Sequence, residues 1–281
     1  MPESVAASAP SAGHYNTGVI SPRLFFRRAI RLTRLGLHLL QAIFIAGVLL
    51  PNVNRVWRDR LISYWSRGLL RVLGVRMQAE RAPPLPDGAL LVCNHVSWLD
   101  IYLIYAARRV HFVSKAEVRA WPVFGWLAHQ GGTLFLERAR RADTARVNTT
   151  MRELMQQGAW VAVFPEGTTS DGLGLKRFLS SLLQPAVELG CPIIPAALRY
   201  RTRAGEYSAA AAYIDDISLW TSLKRIISEP DLVAELVFGE PFSAHEHRRK
   251  LAHRAEKAVA QLLGYAPPTP VEVGAAGPIK G

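Results

Sequence analysis

Residues 90–100 read LLVCNHVSWLD, a short apolar run that breaks into Asn94 and His95 and reaches Asp100 five positions after the histidine. A continuous apolar run of this length reads as a strand buried on both faces, the kind found in parallel sheets. DIYLIYAARR follows directly, with the length and composition of a helix. Strand, polar turn and helix make one α/β unit, and the chain repeats it. VRMQAE (75–80) alternates like an edge strand, and VHFVSK (110–115), TLFLER (133–138), WVAVFPEG (160–167), PIIPAALRY (192–200) and AELVFGE (234–240) are further apolar runs ending in turn or charged residues. Helical candidates stand between and after them at 100–109, 116–129, 142–158, 180–190 and 246–264. The alternation predicts an α/β fold with a mostly parallel or mixed central sheet flanked by helices.

In such sheets ligands bind beyond the carboxyl ends of the strands. Here NH ends one run, SK a second, ER a third and PEGTTS a fourth, so one crevice is expected to gather His95, Asp100, Lys115, Arg138 and Glu166. A histidine with a carboxylate five positions on, where a helix begins, suits a general base whose tautomer and charge the aspartate stabilises. Asp100 equally suits helix capping. No G-x-S-x-G nucleophile elbow is present. Cys93 or Ser97 as nucleophile, and a zinc site from His95, Asp100 and Glu166, are weaker alternatives because nothing marks either nucleophile as activated and the ligand spacing is not compact. FPEGTTSDG (164–172) runs a strand into Pro, Gly and a row of hydroxyls, with Lys176 and Arg177 close behind. Such a loop could cradle an anionic head group, although it lacks the P-loop spacing. A plain tight turn is the alternative.

The formal net charge of +12 over 281 residues implies an anionic partner: nucleic acid, a phospholipid surface or a phosphorylated substrate. Much of that charge sits beside one apolar stretch. Arg23, Arg27, Arg28, Arg31 and Arg34 precede residues 35–50, and Arg55, Arg58, Arg60, Arg67 and Arg71 follow them. Sixteen helical residues reach about 24 Å, short of the ~30 Å hydrocarbon core. The segment therefore reads either as a short, mismatched span or as a helix half sunk in one leaflet, with Trp57 and Trp65 near the headgroups. An ordinary buried core helix is the third reading. The long lead-in and the absence of an A-x-A site argue against a cleaved signal peptide. Outside this segment no interleaved aromatic and basic pattern suggests nucleic-acid binding. Two cysteines, Cys93 and Cys191, make no disulfide framework and point to a reducing setting. Residues 1–20 and 266–281 have the composition of disordered tails. The expected organisation is therefore tail, membrane-binding helical segment 21–73, catalytic domain 74–265 and tail.

NHVSWLD, GGTLFLERARR, FPEGTTSDG and IIPAAL, in that order and at these separations, resemble the four motif blocks of the glycerolipid acyltransferases of the 1-acylglycerol-3-phosphate type. The resemblance runs from about Gly74 to Pro241 and includes FVSKAEVRAWPVFGWLA, a stretch similar to the bacterial branch. It implies that His95 is the general base for direct attack of a lyso-lipid hydroxyl on an acyl thioester, and that Asp100 orients it. It also implies acceptor and phosphate binding by Lys115, Arg138 and the run Phe164, Pro165, Glu166, Gly167 and Thr168. No cofactor or metal is implied beyond the co-substrate, acyl-CoA or acyl carrier protein. The implied setting is a bacterial cytoplasmic membrane with the site facing the cytosol, on an anionic surface and with no nucleic acid. Two departures stand out: Glu137 replaces an Asp common before the arginine of the second block, and Leu179 replaces a polar or basic residue. The second puts an extra phosphate contact in question, and with it the acceptor; a relative acting on lyso-ornithine lipid would look similar.

Overall fold

The computed structural model describes residues 21–79, 87–120, 124–137 and 141–265. Two helices lead: α1 (Pro22–Phe44), continued by a π turn and a 3-10 turn to Asn52, and α2 (Arg55–Leu73). Then come β1 (Arg76–Ala79), β2 (Leu90–Cys93), α3 (Leu99–Ala107), β3 (His111–Lys115), α4 (Phe124–Gln130), β4 (Leu134–Leu136), α5 (Arg141–Gln156) and β5 (Val161–Val163). The chain continues through α6 (Gln184–Leu189), β6 (Pro192–Arg201), α7 (Leu219–Ser228), β7 (Val233–Phe238), β8 (Phe242–Ser243) and α8 (Arg248–Leu263).

The strands form one sheet in the order β1-β7-β6-β2-β5-β3-β4, with β8 on the edge of β6. Every pairing is parallel except those of β6 with β7 and β8. The continuous apolar runs have a direct physical reason: both faces of the sheet are covered. Leu91 and Cys93 of β2 pack with α1, α2, α3 and α7, whereas Leu90 and Val92 pack with α5, α6 and α8. Two-residue periodicity sends alternate side chains to opposite cores, so neither set can be polar.

All seven expected strands form. The helix expected at 116–129 is instead a 3-10 turn over Ala116–Ala120 and the separate α4. The one expected at 180–190 opens as a 3-10 turn, and α6 starts only where Pro185 can occupy its first turn. Helix α7 and strand β8 were not expected. The N-terminal segment is longer than its apolar letters suggest, because Ser21 caps α1 through a bond from Leu24 N and Pro22 opens it. Asn54 and Gly74, the latter at φ +79°, likewise bound α2. The tails 1–20 and 266–281 lie outside the described residues.

Helices α1 and α2 form a hairpin. His38, a polar residue within the apolar stretch, points inward: its Nε2 lies 2.9 Å from Trp65 O, Trp65 Nε1 donates to His38 O at 3.0 Å, and the rings stack at 4.8 Å. A Cβ at Gly68 would stand 2.5 Å from the His38 ring, so this close approach requires the glycine. One side of the hairpin joins the core through Ala42, Leu69, Leu70 and Leu73. The other exposes Phe26, Ile30, Leu37, Leu40 and Phe44 at near-helical spacing. Pro22–Asn52 is long and apolar enough to cross a membrane by length and composition.

Buried Asn94 ties the end of β2 to β6, accepting from Leu198 N at 2.7 Å and donating to Leu198 O at 3.0 Å. Asn94→Ala leaves both backbone groups unpaired in the core. We expect it to cost about 3 kcal/mol, read as a lower denaturant midpoint in chemical unfolding.

Candidate active site

Four adjacent parallel strands, β2, β5, β3 and β4, present their carboxyl ends side by side, and the expected polar residues follow those ends. Lys115 closes β3. Arg138 lies just beyond β4, outside the described residues.

His95 follows β2, and Asp100 sits in the first turn of α3. His95 Nδ1 is 2.8 Å from Asp100 Oδ2. The same oxygen accepts from Val96 N at 2.7 Å and Ser97 N at 2.9 Å, while Oδ1 accepts from the Tyr200 hydroxyl at 2.6 Å. Asp100 is fully buried, and these partners are all donors. It therefore acts as an acceptor toward Nδ1–H, which leaves the lone pair of the imidazole on Nε2. Asp100 does not cap the helix as foreseen: Trp98 holds the cap position, and the carboxylate bonds the turn ahead of it as well as the imidazole. Burial and the charge of Asp100 push the Tyr200 phenol well above its usual range, so it remains a donor.

The face of the imidazole is held too. Phe164 stacks on His95 with ring centroids 4.0 Å apart and 8° between planes, and Phe112 backs Phe164 at 5.6 Å. Glu166 is buried, with Oε1 accepting from His95 N at 2.7 Å and Oε2 from Lys176 N at 3.0 Å. Its carboxylate joins the two lips of the crevice through backbone groups. Burial raises its pKa, opposed by those two bonds. The loop after β5 uses much of its own N–H supply: Gly167 N donates to Phe164 O, Ser170 N to His95 O and Leu173 N to Asp171 Oδ1. Lys176 Nζ donates to Thr169 O.

These residues border a crevice of about 810 Å³ whose lining includes His95, Phe164, Gly167, Thr168, Lys176 and Asp216. Pro165 and Glu166 lie beneath that lining. Next to it, lined by the hairpin, α3, α4 and α7, is an apolar cavity of about 220 Å³. The two share the walls Trp98, Ile101, Ser114 and Val118. A polar vestibule carrying a base thus adjoins an apolar chamber, an arrangement suited to a substrate with a polar head and a hydrocarbon chain. The alternatives at the site fare differently. Burial and the nearby carboxylates push the Cys93 thiol far up, away from the thiolate a nucleophile needs. Ser97 is buried, its hydroxyl accepting from Leu99 N.

The family model described as Acyltransferase matches residues 75–199, the stretch that holds His95, Asp100, Phe164 and Glu166. A 1-acyl-sn-glycerol-3-phosphate acyltransferase of Neisseria meningitidis is 37% identical over 245 residues, 85% of this chain and 94% of that protein. The chain belongs to the PlsC-like family of glycerolipid acyltransferases. As a member it is an O-acyltransferase. A lyso-ornithine lipid O-acyltransferase of Pseudomonas aeruginosa is 39% identical over 216 residues, 75% of this chain and 82% of that protein. The solved PlsC from Thermotoga maritima shares the fold, with a TM-score of 0.63 at 18% identity, over 88% of this chain and 97% of that one.

Within the acyltransferase fold, Tyr200 is the residue that sequence reading passed over. It stands a hundred positions from Asp100, between Arg199 and Arg201 in β6, and nothing local marks its phenol as a partner of that carboxylate. Asp215 and Asp216 were also passed over; they line the crevice in consecutive left-handed conformations, φ 56° and 44°, which a short polar side chain tolerates. Tyr200→Phe removes one of four bonds to Asp100 and little volume. We expect kcat to fall about tenfold, about 1.4 kcal/mol of barrier, with KM within twofold and a melting midpoint lowered by a few degrees, because buried Asp100 Oδ1 loses its donor. Steady-state kinetics beside a thermal melt checks this.

Proposed function

We propose that this enzyme moves a fatty acyl group from a thioester, acyl-CoA or acyl carrier protein, to the free hydroxyl of 1-acyl-sn-glycerol-3-phosphate. The observation that carries the reading is the His95–Asp100 pair at a crevice sharing four wall residues with an apolar cavity. His95 Nε2 takes the hydroxyl proton as the oxygen attacks the thioester carbonyl, and the imidazolium is balanced by Asp100 across the Nδ1–H bond. Collapse of the tetrahedral intermediate forms the ester and expels the thiolate, which takes the proton back from Nε2. No acyl-enzyme forms, in keeping with the missing nucleophile elbow. Lys115 and Arg138 take the acceptor phosphate, the arginine in a bidentate pair. Phe164 and Glu166 also position His95, the one by stacking on its ring and the other by accepting from its backbone N–H. The apolar cavity takes hydrocarbon chain.

A second reading, acylation of a lyso-ornithine lipid, is favoured by the crevice's own charge. Asp171, Asp215 and Asp216 line it, with Lys176 the only lysine among its described lining residues. These carboxylates suit an acceptor bearing an ammonium group better than one bearing a phosphate. A panel of lysophosphatidic acid, other lysophospholipids and lyso-ornithine lipid, each with acyl-CoA and acyl carrier protein donors, decides between them. The expected result is turnover on lysophosphatidic acid that falls at least a thousandfold in His95→Ala, a variant that still sediments with membranes. Near-normal turnover in the variant refutes the mechanism, and turnover confined to lyso-ornithine lipid replaces the acceptor.

The exposed apolar face of α1 supports a seat in one leaflet of the cytoplasmic membrane, site toward the cytosol. Its opposite side is packed on the domain, which a helix surrounded by lipid would not be. Leu37→Asp/Leu40→Asp/Phe44→Asp charges that face without entering the core. We expect the triple variant to move from the pellet to the supernatant in vesicle sedimentation while keeping its melting midpoint.

A further inference from the structure

The arginines flanking the apolar stretch divide into two groups once their partners are known. Arg28 donates to Ser228 Oγ, Arg31 to the carbonyls of Ile227 and Glu229, Arg58 to Gln130 O and Arg67 to Ala106 O. These four hold the hairpin to the domain. Arg55, at the first turn of α2, makes no such bond among the described residues. It borders a polar recess of about 340 Å³ that also includes Arg108, Arg109, His111, Asp59 and Trp160.

This recess is not part of the catalytic crevice. His111 opens β3 and Trp160 immediately precedes β5, whereas the His95 crevice lies past the carboxyl ends of the same parallel layer. The two are separated by about a strand's length, roughly 15 Å.

Its charges are unbalanced in a specific way. Among the described lining residues Asp59 is the only carboxylate, with Asp87 beside Gly158 at the edge, and Arg109 engages Asp59 at 2.7 Å while its other nitrogens bond the carbonyls of Val110 and Gly131. His111 Nδ1 faces Gly132 O at 3.0 Å. Arg108 lies over Trp160, its guanidinium carbon 3.8 Å from the ring centroid. That stack fixes the guanidinium plane but satisfies none of its five N–H donors, and among the described residues no acceptor bonds them. Burial works against its charge, with Asp87 acting on it only by Coulomb attraction. The positive end of the α2 dipole adds to the field.

A planar, pre-oriented guanidinium and a second one free on the same recess are donors of the kind that phosphate oxygens accept from. The geometry points to a second phosphate site in this recess, bound by Arg108 and Arg55 and distinct from the acceptor site. A membrane phospholipid head group and a soluble phosphate offer the same chemistry. The exposed side chains of Val56 and Trp57, beside Arg55, would lie near a lipid source.

The test uses full-length protein in uncharged detergent, as wild type and as Arg55→Ala/Arg108→Gln. Inorganic phosphate, against chloride at matched ionic strength, is expected to raise the melting midpoint of the wild type. The double variant, measured from its own baseline, should need at least tenfold more phosphate for the same rise, with KM for the lyso-lipid acceptor within twofold. Sedimentation with phosphatidylcholine vesicles, with and without phosphatidylglycerol, identifies the source. If the wild type favours the anionic vesicles and the double variant loses that preference, the site seats a lipid head group. If only the phosphate response differs, it takes a soluble phosphate. Arg23→Ala/Arg34→Ala removes equal charge from α1 without touching the recess. The proposal is overturned if the recess variant responds to phosphate as the wild type does, or if the α1 control loses as much of both responses.

Discussion

One buried carboxylate organises the candidate active site of this molecule. Asp100 accepts from the imidazole of His95, from the backbone of Val96 and Ser97, and from the phenol of Tyr200. An ionised group with no solvent is tolerable only when its lone pairs are met by donors. The four bonds therefore do two things together: they make the burial possible, and they fix the tautomer and direction of His95. The turn between β2 and α3 is shaped by that requirement, since two of the donors are its own N–H groups. Glu166 applies the same logic across the crevice, tying the backbone of His95 to that of Lys176.

Around this centre, the parallel layer supplies rigidity and the hairpin supplies the apolar surroundings. Phe164 closes over the imidazole from the strand next to β2, and Asn94 secures the end of β2 to β6. The hairpin roofs the apolar cavity and turns its remaining hydrophobic side outward. The same pair of helices thus serves the fold on one side and faces the surroundings on the other. His38 and Gly68 make this possible, because a polar residue in an apolar helix is satisfied by the backbone of its partner helix.

The strands were legible because each carries its own signal. Burial on both faces demands a run of apolar residues, and the runs of β2, β3, β4 and β5 end where the crevice begins. His95 and Asp100 were legible because five residues of turn and helix start keep them close whatever the rest of the chain does. The breaks at Ala120 and Leu183 were harder to read: local propensity is similar on both sides, and proline geometry decides where a helix can start. Helix α7 was hidden for a different reason, since its polar exposed face dilutes the hydrophobic count on which such reading depends.

By itself the sequence determined the α/β class, the order of the strands along the chain, the dyad and the motif blocks that carry the family. These are set by short-range periodicity and spacing, which survive without knowledge of neighbours. Tertiary structure alone decided that Tyr200 meets Asp100, that Phe164 lies on His95, that Glu166 serves the backbone, and which arginines of the hairpin are already engaged. Each of those facts joins residues far apart in the chain, and a donor's partner is chosen by which acceptor packing brings within about 3 Å, a distance that no local pattern encodes.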